Sequence, residues 1–290
     1  MKIKIKNTPD GVVCYDPQSY TTIRFNKAES LKLGVKGFPK DTPPEIVHLE
    51  ISDRCNLNCP YCYVKDKSNK ELATEEWKRI IKVLSDNGIF QVTFGGGEPT
   101  MRADLDVLAH YVKTLGLSLC MTSNGLKIPG FDYKTLQLFD QINISWHNQS
   151  IFELALNTLK NSKVRRGINY CLSKQYLKDL KTIKKIAKRQ EAEILFLTYK
   201  PTDGDIDNQL PPKQVLEVAT QAHKEGFQVA VDGMTCQTCL AAKRFCDIDS
   251  LGNLLLCSFI REPIGNLLKE PFRNIWARRN RKITCPYLRR

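Results

Sequence analysis

Three cysteines fall within the eight-residue run Cys55-Asn56-Leu57-Asn58-Cys59-Pro60-Tyr61-Cys62, a C-x3-C-x2-C spacing directly after the apolar stretch 46–51. Thiolates packed so tightly into a loop can converge on one soft metal centre, and thiolates hold [4Fe-4S] cubes. A cube held by three of them keeps one iron open to a small molecule. Tetrahedral zinc is the alternative that thiolates also suit. Roughly thirty residues later Gly95-Gly96-Gly97-Glu98-Pro99 closes a second apolar stretch, 89–94. Glycines there let backbone approach a ligand closely, and Glu98 can accept a charge-assisted hydrogen bond from a ligand ammonium.

A second group of cysteines, Cys236, Cys239, Cys246, Cys257 and Cys285, lies near the C-terminus. Cys14, Cys120 and Cys171 stand alone. In a chain of this size with no export signal, clustered cysteines read as metal or redox ligands rather than disulfides. The start, Met1-Lys2-Ile3-Lys4-Ile5-Lys6, alternates charge with isoleucine and reads as an edge strand, not a signal peptide. No apolar run approaches the length of a membrane span, so a cytoplasmic protein is expected. The 44 basic and 31 acidic residues give a net charge of +13. That excess suits an acidic partner or substrate, or merely solvated helix faces.

The elements that must position these residues alternate regularly. Strand patterns cover 46–51, 89–94, 117–122, 142–146, 164–172 and 193–199, and helix patterns cover 74–86, 103–115, 133–139, 151–159, 176–189 and 212–224. Six strand–helix repeats predict an α/β fold with a parallel sheet and right-handed crossovers, an open partial (β/α)6 barrel. Chemistry in such sheets gathers beyond the C-terminal strand ends, where both leading motifs fall. We expect three parts: a strand or hairpin arm with linker over 1–44, the barrel over 45–232, and a small cysteine-rich domain over 233–290. On the fifth strand Arg165, Gly167, Asn169 and Cys171 share one parity, and this small, polar set is expected on the cavity side. Ser145 and His147 share a parity at the end of the fourth.

Cys-x3-Cys-x-aromatic-Cys followed by Gly-Gly-Glu-Pro resembles the radical S-adenosylmethionine (SAM) superfamily. The resemblance implies that Cys55, Cys59 and Cys62 hold a [4Fe-4S] cluster whose open iron takes SAM, and that a 5′-deoxyadenosyl radical then abstracts hydrogen from substrate. It further implies SAM contacts at Tyr61, Gly96, Gly97, Glu98, Ser123, Asn124 and Ser145, and the strand parity adds Arg165 as a partner for the SAM carboxylate, with Arg166 next door competing for that role. Cys171 is then a candidate hydrogen-atom donor, although a lone cysteine is commonly a small buried hydrophobe. The segment Cys239-x12-Gly252-x4-Cys257 resembles the opening of SPASM and twitch domains, which implies one auxiliary [4Fe-4S] cluster. Cys236, Cys239, Cys257 and Cys285 are the favoured ligands, with Cys246 able to replace either of the first two.

The expected activity is that of a radical SAM enzyme acting on a peptide or protein, a peptide maturase, served by an electron donor such as flavodoxin or ferredoxin. The arm over 1–44 is then either a reduced leader-peptide recognition element or a cap on the sheet. The alternatives are cofactor or small-molecule biosynthesis, including haem-like chemistry, and nucleic-acid modification. The last lacks an RNA-binding module or aromatics interleaved with the basic run. A non-catalytic metal-binding protein leaves Gly-Gly-Glu-Pro unexplained.

Overall fold

The structure is a computed structural model that describes residues 3–65, 70–162, 164–235, 239–279 and 285–287. Strands β1 (Lys4–Thr8), β2 (Gly11–Asp16) and β3 (Thr21–Asn26) form a small antiparallel sheet, followed by helix α1 (Lys27–Lys32). The barrel then runs β4 (Ile46–Ser52), α2 (Thr74–Asp86), β5 (Gln91–Gly96), α3 (Leu105–Thr114), β6 (Ser118–Ser123), α4 (Tyr133–Leu136) and β7 (Gln141–Ser145). It continues through α5 (Gln149–Ser162), β8 (Arg165–Leu172), α6 (Leu180–Gln190), β9 (Glu193–Thr198), α7 (Pro212–Lys224) and a short β10 (Val229–Val231). The chain closes with β11 (Phe245–Ile248), β12 (Asn253–Cys257), β13 (Ile260–Asn266) and α8 (Phe272–Ala277).

Strands β4 to β10 are parallel neighbours in chain order, the arrangement of a partial barrel. The expected six units are present, and β10 adds a seventh strand that the sequence patterns do not show. Alternation explains the layers. On β4, Val47, Leu49 and Ile51 are fully buried and pack into the core with Trp77, Ile80, Ile81 and Leu84 of α2, whose i, i+3, i+4, i+7 spacing makes one apolar helix face. The other face of β4 carries His48, Glu50 and Ser52 toward the barrel interior. Helix α2 begins where Glu76 accepts from the Ala73 N–H at 2.9 Å, so the carboxylate caps an orphan donor.

The C-terminal segment extends this sheet. β11 pairs in parallel with β4, joining Phe245 to Ile46 and Ile248 to Leu49, and β12 and β13 follow as antiparallel strands. One ten-stranded sheet therefore carries both the first cysteine loop and the hairpin of Cys257. No helix among the described residues is long and apolar enough to cross a membrane.

Candidate functional site

The cysteine loop leaves the C-terminal end of β4 and is seated on the end of β5. Gly97 N–H donates to Ser52 O at 2.8 Å and Glu98 N–H to Arg54 O at 2.7 Å. A Cβ on Gly97 would stand 2.2 Å from Arg54 O, one on Gly96 2.4 Å from Ser52 O, and one on Gly95 2.0 Å from His48 Nε2. Gly96 also has φ +105°, a conformation that glycine adopts without strain. The glycines thus answer to the chain's own backbone and to His48, whereas the sequence reading assigned their space to a ligand. The loop's return limb is clamped by Arg102, which is buried. It donates to Ile51 O at 2.8 Å and Leu72 O at 3.2 Å, and pairs with Glu71 at 2.9 Å and Asp104 at 2.7 Å. Arg54 completes the clamp on Glu71.

Cys55, Cys59 and Cys62 are all partly exposed at this mouth. Cys55 Sγ accepts from Leu57 N–H at 3.4 Å, with Asn124 Nδ2 at 4.0 Å. N–H donors aimed at a sulfur suit a cysteine that holds a cluster, so this donor set fits one. Glu98 is 1% exposed. Its Oε1 accepts from Ser123 Oγ at 2.8 Å, Thr100 Oγ1 at 2.6 Å and Thr100 N–H at 3.2 Å, while Oε2 accepts from Asn124 N–H at 2.7 Å. The carboxylate therefore pins the end of β6, and Oε2 keeps capacity for one further donor. Asn124 Nδ2 in turn donates to Asn56 Oδ1 at 2.7 Å, tying that end to the cysteine loop.

Tyr61 packs edge-on against Tyr176 and Tyr199, with ring centroids 6.3 and 5.7 Å away. Ser145 ends β7 opposite Asn169 in register. Inside the barrel Asn143 donates to Asn169 at 2.8 Å, and Gly167 is glycine because a Cβ would meet Asn143 Oδ1 at 2.0 Å. Cys171 lies one residue from the end of β8, and burial pushes its thiol up to about 12, so it keeps its S–H proton. Arg165 is a correction. It starts β8 at the far end of the barrel, where its guanidinium stacks over Tyr20 of the arm at 4.7 Å. An eight-residue strand separates it from the mouth. Arg166 bonds Gln190 O at 2.8 Å on the helix side and is no substitute, and His147 is exposed beyond β7.

The second cysteine group is partly gathered. Cys257 ends β12, its Sγ accepting from Phe259 N–H at 3.5 Å; burial first, with Cys239 nearby, pushes its thiol up to about 11. Tyr287, two residues after Cys285, packs on Phe259 at 6.0 Å, and Tyr63, after Cys62, packs on the same ring at 5.4 Å. Cys246 is fully buried within the apolar core, where burial pushes its thiol far up. A sulfur sealed among aliphatic side chains cannot replace Cys236 or Cys239. Cys236 itself lies outside the described residues.

Sequence reasoning missed two features of the mouth. Lys200, just past β9, pairs with Asp232 at 2.5 Å and lies 4.7 Å over the Phe259 ring. Burial alone would raise Asp232, but Lys200 holds it below its ordinary value. The second is the polar face of β4, where His48 and Glu50 meet Asp247 of β11 and Arg261 of β13. Strict alternation from Ile46 to Ser52 was the available signal, since a polar face on a central strand needs polar partners.

Comparison with known proteins bears on this geometry. The family described as "Radical SAM superfamily" matches residues 49–238. Fe-coproporphyrin III synthase of Methanosarcina barkeri is 28% identical over 227 residues, covering 67% of this chain and 56% of the relative. A PqqA peptide cyclase of Bradyrhizobium diazoefficiens is 48% identical over 77 residues, 26% of this chain and 20% of the relative. The chain thus spans about half the length of the first relative, and the match to the second is local. In fold it is similar to Streptococcus suis SuiB bound to precursor peptide SuiA, with a TM-score of 0.75 at 13% identity, covering 94% of this chain and 87% of that one.

Proposed function

The chain belongs to the radical SAM superfamily, and from that premise we propose a peptide maturase whose first cluster is held by Cys55, Cys59 and Cys62. When bound, that cluster supplies the electron that breaks a carbon–sulfur bond of SAM, releasing a 5′-deoxyadenosyl radical that takes hydrogen from substrate. The residues do the rest. Arg102 and the glycines hold the cysteine loop over the barrel mouth. Glu98 fixes Ser123 and Asn124 beside the loop, and its Oε2 accepts from the SAM ammonium. Tyr61 offers an aromatic face toward the adenine, and Ser145 a hydroxyl on the same rim. Cys171 keeps its S–H proton and gives a hydrogen atom to a substrate radical, and the thiyl radical left behind returns to the thiol with one electron from the one-electron donor and one proton from water. Cys236, Cys239, Cys257 and Cys285 hold the auxiliary cluster in a C-terminal unit over 233–290, and a one-electron donor of the flavodoxin or ferredoxin kind serves both clusters.

The observation that carries this reading is the seating of the three-cysteine loop on Gly95-Gly96-Gly97-Glu98 at the mouth of a parallel barrel. A peptide substrate is supported by the PqqA peptide cyclase and SuiB likenesses. It is also supported by the edge of β3, which pairs with no further strand among the described residues and where an extended peptide could add. The net charge of +13 favours an acidic one. A second reading is tetrapyrrole chemistry, because the Fe-coproporphyrin III synthase match spans 67% of this chain at 28% identity. Anaerobic reconstitution is expected to give about eight irons per chain and reductive formation of 5′-deoxyadenosine, with Cys55, Cys59 and Cys62 together changed to Ala removing half the iron. Stoichiometric zinc without visible absorption would overturn it. Tight, saturable binding of a porphyrin, with no peptide accelerating SAM cleavage, would favour the second reading.

A further inference from the structure

The joint between barrel and cysteine hairpin contains four ionisable side chains that the chemistry above leaves unused. Arg261 Nη2 donates to Glu50 Oε2 at 2.9 Å and Nη1 to Glu50 Oε1; Nη1 also reaches Ser258 O at 3.3 Å, the carbonyl of the residue after Cys257. Asp247 Oδ2 lies 3.2 Å from His48 Nδ1. Its Oδ1 has no hydrogen-bond partner among the described residues. Glu50 and Asp247 are 1% and 0% exposed, and ligand atoms of His48, Glu50 and Asp247 lie within 4.8 Å of one another.

Two carboxylates this close and this dry do not both ionise readily. Burial first, then the charge of Asp247, push Glu50 up to about 8. Asp247 goes the other way: burial would raise it, but His48 holds it down. A divalent cation could join such a trio, yet Arg261 already occupies both Glu50 oxygens and supplies the positive charge. A proton between the carboxylates fits better, and it would give Asp247 Oδ1 the donor it lacks. The other groups facing Glu50 are His48 on its own strand, the backbone of Gly96 on β5, and Tyr63, whose phenol burial and then Glu50 keep protonated.

On the reading that Cys257 helps to hold the auxiliary cluster, we propose that an electron in that cluster tightens the hold of Glu50 on its proton, so that wherever Glu50 is ionised it takes up one proton from water for each electron that enters. The electron comes from the one-electron donor, and the proton returns to water when the electron leaves. Total charge at the joint is then unchanged through the cycle. The coupling is electrostatic and runs through Arg261, whose guanidinium touches both Glu50 and the carbonyl beside Cys257. Added negative charge at the hairpin draws on Arg261, weakens its hold on Glu50 and favours the neutral acid.

The test is an anaerobic redox titration of the reconstituted full chain, followed by electron paramagnetic resonance from about pH 6 to about pH 10. Glu50 is already protonated at the acid end, so the auxiliary potential is expected to be flat there. Above about 8 it should fall, with a slope approaching ~59 mV per pH unit for one proton and one electron. Glu50→Gln should abolish the slope. Arg261→Gln, which removes the cation but leaves Glu50, should move its onset to higher pH. Iron content and the spectrum of the first cluster report folding in each variant. A wild-type potential independent of pH, or a slope that survives Glu50→Gln, overturns the proposal while leaving the auxiliary cluster in place. About four irons per chain instead of about eight overturns the cluster reading, and the proposal with it.

Discussion

Glu98 shows how one side chain sets a site that lies elsewhere in sequence. Its two oxygens take four donors, from Thr100, Ser123 and Asn124. Glutamine keeps the size but presents one acceptor oxygen and one NH2, so a donor must confront a donor on one side. Glu98→Gln should therefore destabilise the fold by about 2 kcal/mol and weaken SAM binding by roughly tenfold or more. Urea unfolding and equilibrium dialysis measure the two, and unchanged SAM affinity would remove Glu98 from the ligand's neighbourhood. The cysteine spacing was legible because all three ligands sit in one short loop. The partners of Glu98 were not, because Ser123 and Asn124 reach it only through the pairing of β5 with β6. Arg165 misled for a related reason: strand parity assigns a face correctly but is silent about which end of the strand meets the mouth.

At the scale of elements, the cysteine loop is held from two sides, by the glycines of β5 and by Arg102. Gly97→Ala places a methyl 2.2 Å from Arg54 O, a backbone atom that cannot swing aside as a side chain would. The loop must shift, so iron at the first site should fall by more than half while iron at the second is retained. Equal loss at both sites would mean general misfolding. Arg102→Met leaves Asp104 without its cation, Glu71 with Arg54 alone, and the carbonyls of Ile51 and Leu72 without this donor; it should cost about 1–3 kcal/mol, read as a lower urea midpoint. Strands and helices of the barrel were readable from their periods, since each has one face in the core. Two boundaries were not. Helix α4 stops at Leu136, short of the patterned stretch 133–139, and α6 starts at Leu180 after a 3-10 turn over Leu177–Asp179. Apolar spacing alone does not distinguish a tight turn from a helix.

For the whole molecule, the joint of β4 with β11 makes stability depend on pH. Glu50 binds its proton more tightly folded than unfolded, so its contribution is full below its ordinary value of 4.5 and is lost as pH rises to about 8. Wild type should lose up to about 1.4 kcal/mol per pH unit in that window relative to Glu50→Gln, measured as the difference between their urea-unfolding profiles. Parallel profiles would show that Glu50 ionises freely in the fold. The same joint was illegible in sequence because His48 and Asp247 stand 199 residues apart. That separation has a consequence for biogenesis. β4 is translated long before β11, and at ordinary synthesis rates its open edge waits on the order of 10–40 s for its partner. During that interval the first cysteine loop stands at an unpaired sheet edge, reachable by an iron–sulfur carrier but also open to pairing with another nascent chain. Pausing the ribosome just before residue 245 should therefore raise both cluster loading and aggregation.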